Sequence, residues 1–201
     1  MLQTAHGCLT VGLDARTGES ILIRGGTSSV GMTAAVLAKQ RGMTVLTTTR
    51  DVRKTPVLLG VGVDHVMVDD ADVAAQVRAI VPEGVHKALE LVGAPSLAST
   101  LRSVRVHGVA CFAGMLSNQW LLPNFYPNGD LPRGVRLSGY HGDASDLRPE
   151  ILQRFLDDVA AGALQVPTNK VFELQDIAEA HRLMEAGTGS GKIVVRISSF
   201  R

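Results

Sequence analysis

Short apolar runs alternate with helical patterns along most of this chain. Residues 21–24, 43–48, 65–68, 85–92, 106–113 and 135–140 are continuous enough in apolar character to read as six strands. Between them, residues 30–41, 51–60, 73–81 and 96–104 carry apolar positions at helical spacing. Gly42 stops the first of these helices, Asp72 opens the third as an N-cap, and Pro56 restricts the second to a short or late start. A further helix is expected near residues 2–13. Strands that are apolar throughout, rather than on alternate residues, belong to a parallel sheet covered on both faces. The fold class is therefore α/β, a doubly wound six-stranded parallel sheet of the dinucleotide-binding (Rossmann) type. Past residue 149 the pattern changes. Leu152, Phe155, Leu156 and Val159 mark one helix, and Asp176 with Glu179 gives a capping-box signature for another. Residues 170–172 and 192–197 read as strands. Residues 1–165 form the expected sheet domain and 166–201 a helix-strand appendage.

The most informative segment is the turn after the first strand. Gly25-Gly26-Thr27-Ser28-Ser29-Val30-Gly31 follows an apolar strand and opens onto a helix. In a parallel βαβ unit this is where backbone amides meet the phosphates of a dinucleotide. The spacing Gly25, Ser28, Gly31 is weaker than a full three-glycine fingerprint, and a plain strand-to-helix turn has the same outline. Its place at the head of a complete series of βα units strengthens it. Gly25 permits the turn, Gly31 lets the helix approach the strand, and Ser28 and Ser29 can add hydroxyl donors.

The end of the second strand selects between cofactors. An acid about 20 residues beyond the glycines favours NAD, whereas hydroxyls and a guanidinium suit the 2′-phosphate of NADPH. Here the strand ends Thr47-Thr48-Thr49-Arg50, with Lys54 one turn on. Thr49, Arg50 and Lys54 thus point to NADPH, with Asp51 read as the N-cap of the next helix. An ordinary exposed charge at a helix start is the other reading of Arg50. Val92 and Gly93 after the fourth strand, and Gly114 and Met115 after the fifth, are expected to line the nicotinamide.

Composition narrows the picture by exclusion. The chain has 201 residues, a net charge of +1, 45% hydrophobic and 19% charged residues, so neither a nucleic-acid stripe nor an acidic tail is present. No apolar run approaches the roughly 18 residues of a membrane span. The start lacks a signal-peptide pattern, and with Cys8 and Cys111 far apart in sequence the expected setting is cytoplasmic. The six histidines show no metal-ligand spacing, so no metal is expected. Gly187-Thr-Gly-Ser-Gly-Lys192 has the wrong first residue and the wrong following residue for a P-loop, and it precedes a strand. Neither a Tyr-x-x-x-Lys pair nor a Gly-x-Ser-x-Gly elbow occurs.

Residues 18–31, Thr47–Arg50, Leu91-Val92-Gly93, Glu179–Glu185 and Gly191–Val195 together resemble the zinc-independent quinone oxidoreductase branch of the medium-chain dehydrogenase/reductase superfamily. The resemblance implies NADPH at the glycine turn, including Thr27 and Val30. It also implies hydride transfer to a small quinone, enone or aldehyde. It further implies that the GroES-like domain forming the other wall of the substrate cleft is missing here, with residues 166–201 its remnant. Strands 170–172 and 192–197 would then lack their usual partners and be paired in a homo-oligomer or left partly disordered. No catalytic residue is nominated. A non-catalytic NADPH-binding module and a shortened gene product are the alternatives to an active reductase.

Overall fold

The computed structural model describes residues 1–69 and 72–197; the end of the expected appendage, 198–201, lies outside the described residues. The chain opens with α1 (Leu2–Gly7), which runs on into a π-helical turn at Cys8–Gly12. The alternating series is β1 (Ser20–Arg24), α2 (Ser29–Gln40), β2 (Thr44–Thr49), α3 (Thr55–Gly60), β3 (His65–Val68), α4 (Val73–Ile80), β4 (Val85–Glu90), α5 (Ala94–Arg102) and β5 (Val104–Phe112). A connection holding the short α6 (Pro127–Asp130) leads to β6 (Arg136–Gly139). The six strands form one parallel sheet in the order β3-β2-β1-β4-β5-β6.

Alternate residues of each strand serve opposite faces. Ile21 and Ile23 join Met32, Ala35, Met43 and Leu58 in one core, with Ala5 and Leu9 from the N-terminal helix. Leu22 and Leu46 face the other core, with Val73, Val77, Leu97 and Leu101. Both layers are apolar, which is why the strands read as unbroken hydrophobic runs. Pro56 acts as expected: a single 3-10 turn at Val52–Lys54 precedes α3, and the proline sits in the first turn of that helix. Asp72 caps α4 by accepting from the amides of Ala74 and Ala75.

Cys8 and Cys111 are brought together in the first core, and both are buried. Their hydrogen bond, reinforced by burial, pushes the Cys8 thiol up. The first helix is also tied to β6 through Tyr140, whose hydroxyl accepts from Gln3 Nε2 at 2.8 Å and donates to Asp146 at 3.2 Å.

Two expectations about the end of the chain are corrected. After α7 (Pro149–Ala160), β7 (Thr168–Glu173), α8 (Ile177–Glu185) and β8 (Lys192–Arg196) make a small βαβ unit. The two strands pair with each other in parallel, Val171 opposite Val194 and Phe172 opposite Val195, so each has a partner within the chain. The capping box does not form either. Asp176 makes no side-chain cap, and Glu179 accepts from Lys170 Nζ at 3.1 Å instead.

Candidate functional site

The strand order reverses between β1 and β4, and a crevice opens there at the carboxyl ends of the strands. Its floor is polar although it lies on an apolar sheet. Arg24 and Glu90, the last residues of β1 and β4, are register partners and both are buried. Glu90 Oε1 accepts from the amides of Val92 (2.6 Å) and Gly93 (3.0 Å), and Oε2 from Thr100 Oγ1 (2.5 Å). Arg24 donates to both oxygens of Asp69, from Nε at 2.8 Å and Nη2 at 2.5 Å, and to Thr100 at 3.4 Å. A burial this costly is compensated only because every group finds a partner.

Above this floor lies the glycine turn. Gly25 has φ of +84°, and a side chain there would press on Leu116, Leu91 and Val92 across the crevice. Its amide donates to Thr48 Oγ1 at 3.2 Å. A Cβ on Gly31 would stand 2.5 Å from the carbonyl oxygen of Gly25, so only glycine lets α2 begin this close to the turn. Ser28 is the N-cap of α2: its hydroxyl accepts from the Gly31 amide at 3.0 Å and donates to the Gly25 carbonyl at 2.8 Å. That hydroxyl is therefore spent within the turn rather than offered outward. Ser29 and Val30 start the helix, where amides have no intrahelical acceptor and the helix dipole favours an anion.

The cavity beside the turn, about 120 Å³, is lined by Gly25, Thr27, Thr48, Thr49, Arg50, Asp69, Val92, Leu116 and Ser117. Five residues singled out from the sequence thus meet here: Gly25, Thr27, Thr49, Arg50 and Val92. Thr48, from the same threonine run, lines it as well, and Asp69, Leu116 and Ser117 join them without having been anticipated. A larger cavity, about 280 Å³, lies among α1, α2 and α7. It contains no glycine turn and no strand end, so size alone does not pick the site.

The remaining candidates have other occupations. Asp51 caps the turn at Val52–Lys54 and pairs with Arg53, as an N-cap rather than a crevice acid. Lys54 does not line the cavity; its ammonium donates to the carbonyls of Gly187 (3.3 Å) and Gly189 (3.0 Å). The same loop reaches the glycine turn itself, the Gly191 amide donating to Thr27 at 3.2 Å. Gly93 (φ +125°) and Gly114 are required by chain-to-chain packing: a Cβ would meet Ser117 Oγ at 2.8 Å in one case and the Leu91 carbonyl oxygen at 2.6 Å in the other. Met115 follows Gly114 at the edge of this contact. The connection after β5 is laced to that after β4 by Leu116 and Ser117 amides donating to Leu91 and Val92.

Among the described residues no three His, Cys, Asp or Glu side chains gather as metal ligands, and no helix is long and apolar enough to cross a membrane.

A profile described as "Zinc-binding dehydrogenase" matches residues 61–195. The chain is 28% identical over 199 residues to a phenolphthiocerol/phthiocerol polyketide synthase of Mycobacterium tuberculosis, covering 90% of this chain and 8% of that protein. It is 26% identical over 196 residues to a probable quinone oxidoreductase of Leishmania amazonensis, covering 90% of this chain and 58% of the relative. The solved structure of mycobacterial Rv1454c complexed with NADPH superposes with a TM-score of 0.83 at 24% identity, over 98% of this chain and 62% of that one. The chain thus spans little more than half the length of the quinone oxidoreductase relative and a small part of the synthase.

Proposed function

The chain belongs to the zinc-binding dehydrogenase family, and from that premise we propose that it binds NADPH in the β1/β4 crevice and serves hydride transfer to a small carbonyl, enone or quinone. The observation that carries this reading is the meeting of a glycine cradle, a free helix start and Arg50 at one strand-order reversal. NADPH, when bound, supplies the hydride. The turn residues Gly25 and Thr27 and the first amides of α2 hold the pyrophosphate. Arg50 holds the ribose 2′-phosphate, where a guanidinium has the right fork of donors. Thr49, expected to help, lines the cavity but spends its hydroxyl on the backbone of Asp51, donating to the carbonyl at 3.0 Å and accepting from the amide at 3.1 Å. Val92, Leu116 and Ser117 form the opposite wall. The donor set of zinc is not assembled among the described residues, so no step is assigned to a metal.

A second reading is favoured by one feature of the wall. The ionisable side chains lining the cavity are Arg50 and Asp69, and Asp69 is already held by Arg24. Neither is a ready proton donor. The chain would then act as an NADPH-binding module whose acceptor is held elsewhere.

Calorimetric titration with NADPH and NADH, followed by stopped-flow oxidation of bound NADPH by a simple quinone, separates these. Tighter binding of NADPH supports the cofactor assignment, and equal or absent binding overturns it. Hydride loss to the quinone supports an active reductase; binding without it supports the module.

A further inference from the structure

Resting on the NADPH reading above, we propose that Arg24 sets the cofactor preference of this crevice by neutralising Asp69. The difficulty it resolves is on the cavity wall. Asp69, at the end of β3, lines the same cavity as Thr49 and Arg50. A free carboxylate in that cavity would repel a 2′-phosphate and work against Arg50. The chain therefore presents an acid and a base to the same part of the ligand.

Arg24 removes the conflict from behind. It is only 5% exposed, lying under the glycine turn at the end of β1. Its guanidinium meets Asp69 edge to edge, Nε on one oxygen at 2.8 Å and Nη2 on the other at 2.5 Å. Thr48 Oγ1 adds a third donor to Oδ2 at 3.4 Å. Both carboxylate oxygens are thus engaged and the charge is balanced at its source. The guanidinium cannot swing away to the ligand, because Nη1 also donates to Thr100, whose own hydroxyl is held by Glu90. Lysine would balance the charge without occupying both oxygens, so arginine is the residue this role needs. Arg24 acts through Asp69 and is a positioning residue for specificity.

The test is calorimetric titration of the full chain and three variants with NADPH and NADH, with circular dichroism as a check on folding. Arg24→Met is expected to lower the NADPH-to-NADH preference by at least about tenfold, because it bares a carboxylate beside the phosphate. Adding Asp69→Asn to that variant is expected to return the preference to within about threefold of the original, since the pair was electrostatically silent. Asp69→Asn alone unmasks the Arg24 charge and is expected to raise the preference for NADPH. These last two keep the proposal open to refutation even where Arg24→Met fails to fold. An unchanged preference in a folded Arg24→Met, a double variant that keeps the loss, or an Asp69→Asn that weakens NADPH would overturn it. In each of those cases the NADPH reading stands as long as the unsubstituted chain prefers NADPH; if it does not, both fall together.

Discussion

Replacing Glu90 by alanine tests whether the buried floor of the crevice is what holds its wall in place. The carboxyl group takes three donors: the Val92 and Gly93 amides through Oε1 and the Thr100 hydroxyl through Oε2. The side chain is fully buried, so water cannot take its place without rearrangement. Each stranded buried donor costs about 1–3 kcal/mol. With the Val92 amide only partly covered, the sum for Glu90→Ala is about 4 kcal/mol. For a chain of this size that corresponds to a fall in melting temperature of about 8–16 °C. Glu90→Gln keeps an oxygen for the two amides and asks only that the Thr100 hydroxyl turn to accept, so its loss is about 1–2 kcal/mol. Urea unfolding followed by circular dichroism reads both values, provided the denaturant slope is unchanged between variants. The amides that Glu90 orients belong to the residues walling the cavity. Glu90→Ala is therefore also expected to weaken NADPH binding, while Glu90→Gln leaves it within about threefold. A Glu90→Ala chain that loses less than about 1 kcal/mol at equal slope would show that these bonds do not anchor the wall.

Arg50→Ala is expected to weaken NADPH by at least about tenfold and leave NADH nearly unchanged, as read by titration. Stability is expected to fall as the pH drops below about 6.5, the value of an unfolded histidine. His86 is held neutral by burial and by Arg105, whose Nη1 lies 2.9 Å from Nε2, and its pKa is lowered. His6 is lowered in the same way, by burial and then by Arg41. The unfolded chain therefore takes up protons that the native one resists, so the loss runs from the unfolded value down to the native one. Melting curves from pH 7 to about 5 should show it, and His86→Gln should flatten it. A flat profile in the unsubstituted chain would contradict the assignment. Gel filtration is expected to return an oligomer, with the outer edges of β7 and β8 covered; elution as a monomer at 21.3 kDa would argue against it.

Strands buried on both faces, such as Ile21-Leu22-Ile23, announce themselves because no polar residue interrupts them. That made the sheet, its parallel character and the glycine turn legible. What escaped depends on side chains meeting across the topology. Asp69 and Ser117 reach the cavity from the ends of β3 and β5, and nothing in their local sequence marks them out. Ser28 looked like an available donor, but a capping bond inside its own turn uses the hydroxyl. The Asp176/Glu179 signature failed because Lys170, on a neighbouring strand, offered Glu179 a partner that local spacing could not reveal. Gly93 and Gly114 were expected to line the nicotinamide, and the packing of the two loops on each other, which no local spacing reveals, already requires a glycine at both positions.

The pairing of β1 has a consequence for how the chain acquires its shape. One side of this strand is completed by β2, some 20 residues on, but the other waits for Lys87 to Glu90. During synthesis from the N-terminus, Arg24 emerges long before Asp69, Thr100 or Glu90 exists to receive it. A charged residue destined for burial must stay hydrated through that interval, while the open edge of β1 remains available to other nascent chains. Contacts so distant in sequence are slow to form and leave an interval open to aggregation. The residue that finally silences Asp69 thus waits in water beside a strand edge that stays open until the second half of the sheet arrives.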